Sequence, residues 1–488
     1  MTGPAVGSHP VIALQAVDSA AVADQEQALY ELRSKIHPRA VHGVFARWRV
    51  ALVILTQVIF YGLPWLSWND RQAVLFDLAA RKFYILGLVF WPQDLIFLTA
   101  LLVISALSLF LFTAVAGRLW CGYACPQTVY TEMFMWIERK IEGDRTRRMQ
   151  LDKAPWSARK FAIKASKHAV WIAIGLWTGF TFVGYFTPIQ TLAYEVITAS
   201  LGPWETFWIL FYGGATYGNA GYLREQVCKY MCPYARFQSV MFDSDTLIVT
   251  YDPLRGEPRG PRSRKLDHRS AGLGDCVDCT ICVQVCPVGI DIRKGLQYEC
   301  IGCAACIDGC DQVMDKMGYP RGLIRYSTEN ALLGNASEKT TAFGKVTARL
   351  LRPRVMIYTA ILFAITGAFA VGLYLRAPVK INVERDRATL VRNVGHDRIE
   401  NVYRLQIVNA REQPRSFLIS ATGLSGAEIV LDETVPVEVA AAATRILPLR
   451  VRVDAHGLKP GSHPIKFHVA ASDDSTVIAT RDSTFFSR

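Results

Sequence analysis

The chain has 488 residues, a formal net charge of +12 and a hydrophobic fraction of 51%. This length leaves room for two to four domains, and the apolar content is high for a soluble protein and indicates membrane spans. Basic loops beside such spans account for the positive charge, so we predict a membrane protein with no nucleic-acid partner.

The first 45 residues are polar and mixed, with no apolar core ahead of a cleavage site. This pattern argues against a signal peptide and predicts a disordered cytoplasmic leader over residues 1–45.

Five apolar segments follow that are long enough to be candidate membrane spans, since a spanning helix needs roughly 20 apolar residues. They cover residues 50–66, 95–117, 169–186, 204–222 and 355–375. The run FYILGLVFW at 83–91 is too short to span and is ended by Pro92 and Asp94. We therefore predict that this run is an interfacial or re-entrant piece.

Basic residues predict the orientation of these spans, because cytoplasmic loops are enriched in Lys and Arg. Residues 118–167 contain 11 Lys or Arg against five acids, whereas residues 187–203 contain no Lys or Arg. The N-terminus and residues 223–354 are therefore expected in the cytoplasm, and the tail on the outer side of the membrane. All 12 cysteines lie between Cys121 and Cys310, which puts every one of them on the reducing side.

The tail changes its pattern to an apolar–polar alternation, as in VKINVERD, VYRLQIVN and IKFHVAAS, with turn residues between the runs. About seven short strands in such a segment predict an immunoglobulin-like β-sandwich in the periplasm. It is either a docking module for an external partner or a folded cap.

Two C-x2-C-x2-C-x3-C runs form the strongest motif of the chain, and this spacing is the ligand pattern of two-cluster bacterial ferredoxins. In such ferredoxins the fourth cysteine of each run binds the other cluster, and a pair of zinc sites is a weaker alternative. We therefore assign Cys276, Cys279, Cys282 and Cys310 to one 4Fe–4S cluster, and Cys300, Cys303, Cys306 and Cys286 to the other.

Two shorter motifs, WCGYACP and VCKYMCP, place Cys121 with Cys125 and Cys228 with Cys232 at spacing i and i+4. In a continuous helix each pair would share one face, and the following prolines fit a helix that ends or restarts there. Four thiolates at the membrane edge suit a copper site, since soft sulfur ligands select Cu(I). A third iron–sulfur cluster, part of a quinol-oxidising site, and inert buried or disulfide-bonded cysteines are the alternatives.

Neither a C-x-x-C-H haem motif nor a dinucleotide-binding G-x-G-x-x-G after a strand occurs. Electrons are therefore expected from a soluble carrier or from quinol.

The runs GRLWCGYACPQTVYTEMFMWIE and KYMCPYARFQSVMFD, the ferredoxin segment and the sandwich tail resemble the CcoG family. These bacterial cytochrome c oxidase accessory proteins are also called FixG or RdxA proteins, and the resemblance runs from about residue 71 to the end. It implies an inner-membrane polyferredoxin that reduces Cu(II) to Cu(I) in the cytoplasm. The expected partners are a copper-exporting P-type ATPase and the assembly factors of a C-type haem–copper oxidase.

The resemblance implies that Cys121, Cys125, Cys228 and Cys232 form the candidate copper or redox site. It also implies that the eight ferredoxin cysteines are the cluster ligands. The expected architecture is a multi-domain membrane protein with a helical bundle of about five spans, an inserted ferredoxin-like α+β domain and an all-β sandwich. The predicted boundaries are 1–45 for the leader, 46–230 for four spans, 231–345 for the ferredoxin-like domain, 350–376 for the fifth span and 377–488 for the sandwich. A cupric reductase is the predicted enzyme, and a quinol dehydrogenase relay and a non-enzymatic assembly scaffold are its rivals.

Overall fold

The computed structural model describes residues 35–264, 270–332, 351–386, 391–394, 397–455, 458–474 and 476–487. Its α-helices are α1 (Val44–Gly62), α2 (Leu95–Ala116), α3 (Leu119–Tyr123), α4 (Pro126–Glu142), α5 (Arg145–Lys153), α6 (Ala158–Val183), α7 (Ile189–Ile197), α8 (Pro203–Tyr217), α9 (Pro233–Met241), α10 (Pro253–Gly256), α11 (Ile281–Gln284), α12 (Ala305–Met317), α13 (Glu329–Leu332) and α14 (Pro353–Tyr374). Two π-helical segments, Gly218–Leu223 and Val227–Met231, follow α8.

The strands fall into a membrane-proximal set, a central pair and the tail. They are β1 (Ser67–Trp68), β2 (Arg71–Gln72), β3 (Val74–Asp77), β4 (Lys82–Ile85), β5 (Leu88–Phe90), β6 (Ile248–Tyr251), β7 (Ile324–Ser327), β8 (Val379–Arg385), β9 (Arg392–Val394), β10 (Arg398–Asn409), β11 (Arg415–Thr422), β12 (Glu428–Leu431), β13 (Val437–Val439), β14 (Thr444–Asp454), β15 (Gly461–Ala471) and β16 (Ile478–Ser487).

Within the described residues, three helices are long and apolar enough to cross a membrane. They are α1 with the turn after it (Val44–Trp65), α2 with the turn before it (Pro92–Ala116), and α14. Helices α2 and α14 pack side by side, with the rings of Phe97 and Phe369 5.9 Å apart. These helices correspond to the first, second and fifth predicted spans.

The third and fourth predicted spans form helices that do not meet the same criterion of length and composition. Helix α6 begins well before residue 169 and carries Lys160, Lys164 and Lys167 in its first half, and α8 has only 15 residues. The two helices pack closely at glycines, because a Cβ on Gly179 would lie 2.2 Å from the carbonyl oxygen of Ile209. Three of the five predicted spans therefore correspond to candidate membrane helices, and the third and fourth spans stay predictions.

The run at 83–91, predicted to be an interfacial or re-entrant piece, forms a β-hairpin, and its position relative to a membrane stays a prediction. Strands β4 and β5 pair antiparallel around the two residues Leu86 and Gly87. Val89 and Trp91 are buried against Val408 and Ala442 of the tail. Asp94 also pairs with Arg376 at 2.6 Å, so the sandwich lies against this end of the helices. We call it the sandwich end.

The tail is a β-sandwich, as predicted. One sheet has the order β12-β14-β10-β8, with β9 paired to β10, and the other has the order β13-β11-β15-β16. Residues that alternate along the strands, such as Leu405, Leu447 and Phe467, fill the core between the sheets.

All 12 cysteines lie at the opposite end of the helices, which we call the cysteine end. There β6 and β7 pair antiparallel, and α12 packs against β7 and α1. Asp308 of α12 accepts hydrogen bonds from the backbone N–H groups of Phe45 and Ala46 (3.3 and 2.7 Å), which caps the first turn of α1.

Part of the predicted disordered leader is ordered here. Residues 35–43 run along the cysteine end, where the N–H of Arg39 donates to the carbonyl of Gln284 at 2.8 Å. Residues 1–34 lie outside the described part of the chain.

Candidate functional site

Two cavities of similar size lie between α11, α12 and the loops around them, and cysteines line both. The first cavity is lined by Cys276, Cys279, Cys282 and Cys310. The second is lined by Cys286, Cys300, Cys303 and Cys306, with Cys282 at its edge. This is the crossed grouping that the ferredoxin spacing predicts, although the assignment of ligands to clusters stays a prediction.

The two cysteine loops share a backbone conformation that turns each of them around its cavity. Thr280 and Ala304, each next to a motif cysteine, have left-handed φ angles of 56° and 59° and precede α11 and α12. Non-glycine residues adopt this conformation only when the surroundings enforce it. Both loops are therefore held by the fold in the shape that the cavities require.

Several thiols of these cavities are strongly disfavoured as free anions. Burial is the main reason that the pKa of Cys282 and Cys300 rises to about 11 and that of Cys286 and Cys310 to about 12. Neighbouring thiols add to the effect. The thiols therefore hold their protons until a metal centre replaces them, which couples metal binding to proton release.

The remaining four cysteines sit at two helix breaks. Helix α3 ends at Tyr123, and Cys125 is the N-cap of α4 with φ −61° and ψ 129°. Cys232 likewise precedes Pro233, the first residue of α9. The expected restart at each proline is present, so neither pair lies within one continuous α-helix.

The two pairs nevertheless converge into one site, which we call the four-thiol site. Each of Cys121, Cys125, Cys228 and Cys232 interacts electrostatically with the other three. Burial first, and repulsion from Cys125 next, raise the pKa of Cys121 to about 11, and the same causes raise that of Cys228 to about 12. The thiol of Cys121 also donates to Oε1 of Gln238 at 3.3 Å.

The four-thiol site lies directly against the second cavity. Gly122 permits this contact, because a Cβ there would come within 2.8 Å of the backbone N and Cα of Cys303. Cys121 and Cys228 pack in the same apolar cluster as Cys286, Cys300 and Cys303. Since Cys282 borders both cavities, the three groups of thiols form a continuous series.

A buried cation stands between the four-thiol site and the second cavity. Arg118 is 5% exposed and donates to the backbone carbonyls of Tyr298 and Ala235. Its charge interacts with Cys121, Cys228 and Cys232 of the four-thiol site and with Cys300 of the second cavity. The guanidinium is therefore placed to offset negative charge on both groups of thiolates.

Among the described residues, no three His, Cys, Asp or Glu side chains approach closely enough to hold one metal ion. Each of the two cavities is lined by at least four cysteines of the ferredoxin pattern, and in a 4Fe–4S cluster each thiolate binds a different iron.

Sequence reasoning missed three residues of this region: Arg118, Gly122 and Gln238. Arg118 and Gly122 flank Cys121 in GRLWCG, so the signal for them was their place beside the motif. Gln238 carried no signal, because its role depends on α9 folding back onto α2, where its Nε2 donates to Thr113 at 3.3 Å.

Comparisons with family models identify three matching segments. Residues 98–143 match a 4Fe-4S binding domain, and residues 223–329 match a 4Fe-4S dicluster domain. Residues 369–488 match the model described as an IG-like fold at the C-terminal of FixG. The chain therefore carries iron–sulfur domains at its cysteine end and an immunoglobulin-like domain at its sandwich end.

Similar proteins cover most of the chain. Nitrogen fixation protein FixG of Rhizobium meliloti is 39% identical over 425 residues, which are 82% of this chain and 81% of that protein. Protein RdxA of Cereibacter sphaeroides is 40% identical over 427 residues, with 86% and 88% covered, and protein RdxB of the same organism is 39% identical over 437 residues, with 88% and 91% covered.

Proposed function

Because the chain belongs to the FixG/RdxA family of iron–sulfur proteins, we propose that it is a membrane-anchored electron-transfer protein that reduces Cu(II) to Cu(I). The observation that carries this proposal is the continuous contact from the first cavity through the second to the four-thiol site. Such a series of thiols suits the movement of single electrons between the clusters and the four-thiol site.

We assign the two cavities to resident 4Fe–4S clusters. Cys276, Cys279, Cys282 and Cys310 hold one, and Cys300, Cys303, Cys306 and Cys286 hold the other. When bound, such clusters supply reversible one-electron transfer, which matches the one-electron change between Cu(II) and Cu(I). The apolar walls of the second cavity, including Val288, Ile290 and Ile301, exclude water from its thiolates.

The four-thiol site is the proposed site of copper reduction. Thiolates are soft ligands that favour Cu(I) over Cu(II), so a cupric ion bound by a pair of them is easier to reduce. The protons of Cys121 and Cys228 must leave when copper binds, because burial keeps these thiols neutral. Arg118 offsets part of the resulting negative charge, which favours release of the monovalent product.

The cysteine end faces the cytoplasm and the sandwich faces the periplasm of a bacterial inner membrane in this proposal. The 11 Lys or Arg of residues 118–167 and the confinement of cysteines to 121–310 support this orientation. Cu(I) formed there is available to a copper-exporting P-type ATPase and to the assembly of a C-type haem–copper oxidase, the partners implied by the family.

A second candidate is that the four-thiol site holds a third iron–sulfur cluster in a quinol-linked relay. The match of residues 98–143, which contain only the first cysteine pair, to a 4Fe-4S binding domain favours this candidate. Iron analysis separates the two: two clusters give roughly eight irons per chain and three give roughly twelve.

The test compares the wild-type protein with the double variant Cys121→Ser and Cys125→Ser. Both are reduced anaerobically, freed of reductant and mixed with Cu(II), and Cu(I) is trapped with a coloured chelator. We expect the variant to keep the EPR signals of two reduced clusters and to lose copper reduction. Equal copper reduction by both proteins would remove the role given to this pair.

A further inference from the structure

A separate cavity of about 530 Å³ opens at the cysteine end of α6. Its walls include the rings of Trp156, His168 and Tyr222 and the ammonium groups of Lys160 and Lys164. Charged residues of α6 give way here to the apolar run 169–183. The cavity therefore lies at the level where a membrane surface would meet the helix, within reach of both lipid and water.

The aromatic wall offers a flat face and a proton acceptor. The rings of His168 and Tyr222 are nearly parallel, 12° apart in orientation, with centroids separated by 6.0 Å. Nδ1 of His168 lies 3.0 Å from the hydroxyl of Tyr217. In the tautomer that donates from Nδ1, Nε2 of His168 is an acceptor for a hydroxyl proton.

The opposite wall offers hydrogen-bond donors. Nζ of Lys164 donates to Glu142 and Asp152 at 2.8 and 2.7 Å, which leaves the third of its N–H bonds for a ligand oxygen. Buried Glu138 forms ion pairs with Arg148 and Arg224 at 3.0 and 2.8 Å. The wall therefore suits a neutral molecule with oxygen acceptors and opposes the entry of a free metal cation.

Hydrogen bonds and a short segment of chain connect the wall of this cavity to the four-thiol site. Gln127, two residues after Cys125, donates from Nε2 to the carbonyls of Asn219 and Arg224 at 2.9 and 3.2 Å. Glu225 lines the cavity and precedes Cys228 by three residues, so their Cα atoms lie within about 11 Å of each other. The second cysteine pair therefore begins within one short segment of the cavity wall.

We propose that this cavity binds the head group of a membrane quinol and is the point at which electrons enter the protein. The inference rests on the proposed function and supplies its electron donor. The quinol ring stacks beside Tyr222, one oxygen meets Nε2 of His168 and the other meets Nζ of Lys164. The apolar tail leaves along the face of α6 that continues from His168 through exposed Ile172 and Leu176, toward the lipid.

The quinol loses two electrons and two hydroxyl protons and leaves as quinone. The electrons pass one at a time to the iron–sulfur centres held by the cysteines, and each then reduces one Cu(II), so one quinol yields two Cu(I). One hydroxyl proton leaves through Nε2 of His168, and the proton of the hydroxyl that faces Lys164 leaves to water in the open cavity.

The test uses the full-length oxidised protein in lipid nanodiscs under anaerobic conditions, with decylubiquinol as the probe. Bleaching of the visible iron–sulfur absorbance follows electron entry, and quenching of tryptophan fluorescence by decylubiquinone follows binding. We expect His168→Phe, which keeps an aromatic ring, to slow bleaching at least 100-fold. We expect Tyr222→Ala to weaken quinone binding about tenfold, and His42→Phe, an exposed control at the cysteine end, to match the wild type.

Dithionite reduces all these proteins directly and shows that their clusters are intact. Pre-reduced wild type and His168→Phe are also mixed with Cu(II), which tests copper reduction independently of quinol. If decylubiquinol reduces His168→Phe as fast as the wild type, or fails to reduce the wild type, the quinol site is overturned. Fluorescence that responds to anionic lipid and not to quinone would overturn it too and would identify a lipid headgroup site.

Discussion

Gly122 lies so close to Cys303 that a single added carbon would collide with the backbone of the second cysteine loop, at 2.8 Å. The first C-x3-C-P motif therefore touches a predicted cluster loop through a residue with no side chain. The contact brings two segments that are distant in sequence within reach of direct electron transfer.

Gly122→Ala should separate these two loops and slow electron transfer to copper by at least tenfold, with cluster content unchanged. Stopped-flow oxidation of the pre-reduced protein by Cu(II) measures the rate. Gly214→Ala is the matched control, because nothing lies within 4 Å of a Cβ at that position. Equal rates for Gly122→Ala and the wild type would show that the close contact is irrelevant to transfer.

Asp308→Ala should loosen the attachment of α1 to the cysteine end. It removes the acceptor for the N–H groups of Phe45 and Ala46, and the loss of such a cap costs about 1 kcal/mol. Limited proteolysis within residues 35–43 should become faster. Asp315→Ala in the same helix is the control, since its carboxylate is exposed and pairs only with exposed Arg321 at 2.7 Å. Equal protection in both variants would contradict the capping role.

Glu138→Gln should destabilise the cysteine end by about 3–5 kcal/mol, because it leaves Arg148 and Arg224 buried without their partner. Burial alone would raise the pKa of Glu138, but Arg224, Lys167 and Arg148 outweigh it and lower the pKa. Stabilisation by the carboxylate is therefore complete above its unfolded-state pKa of about 4.3 and is lost as pH falls through the lower folded value.

Thermal unfolding of wild type and Glu138→Gln across pH 3 to 7 measures this dependence. We expect a wide gap between their midpoints near neutral pH that narrows below about pH 4.3. A gap that stays constant with pH would assign the effect to packing and not to charge.

Removal of iron should unfold the cysteine end and spare the sandwich. The cysteines form part of the small apolar clusters around α11 and α12, whereas the sandwich has a separate core without cysteine. After anaerobic chelation, hydrogen exchange should become fast in residues 270–332 and stay slow in β10 and β14. Fast exchange in both regions would show that the sandwich depends on the clusters.

The sequence predicted those features that local spacing or periodicity determines. The grouping of Cys310 with Cys276 followed from the ferredoxin pattern, and the alternation along β14 predicted the sandwich. The spacing of the motifs could not establish that Cys121 lies near Cys228, because this proximity depends on how the helices between them pack.

The hairpin at 83–91 was missed for a similar reason. Val89 is buried by Val408 and Ala442, from a part of the chain more than 300 residues away, so both faces of the hairpin are apolar and no alternation marks it. Gly87 in the middle of the run was the available signal for a turn. Helix α6 extends beyond the third predicted span toward its N-terminus, because ion pairs to Glu138, Glu142 and Asp152 accommodate Lys164 and Lys167 within the helix.

In the proposed function, electrons held by the iron–sulfur centres reach Cu(II) through the four-thiol site. Rapid-freeze EPR of the pre-reduced protein mixed with Cu(II) tests it most directly, beside the variant Cys228→Ser and Cys232→Ser. We expect the reduced-cluster and cupric signals of the wild type to decay with one common rate constant, and both signals to persist in the variant. Cupric and cluster signals that both persist in the wild type, or decay alike in the variant, would contradict it.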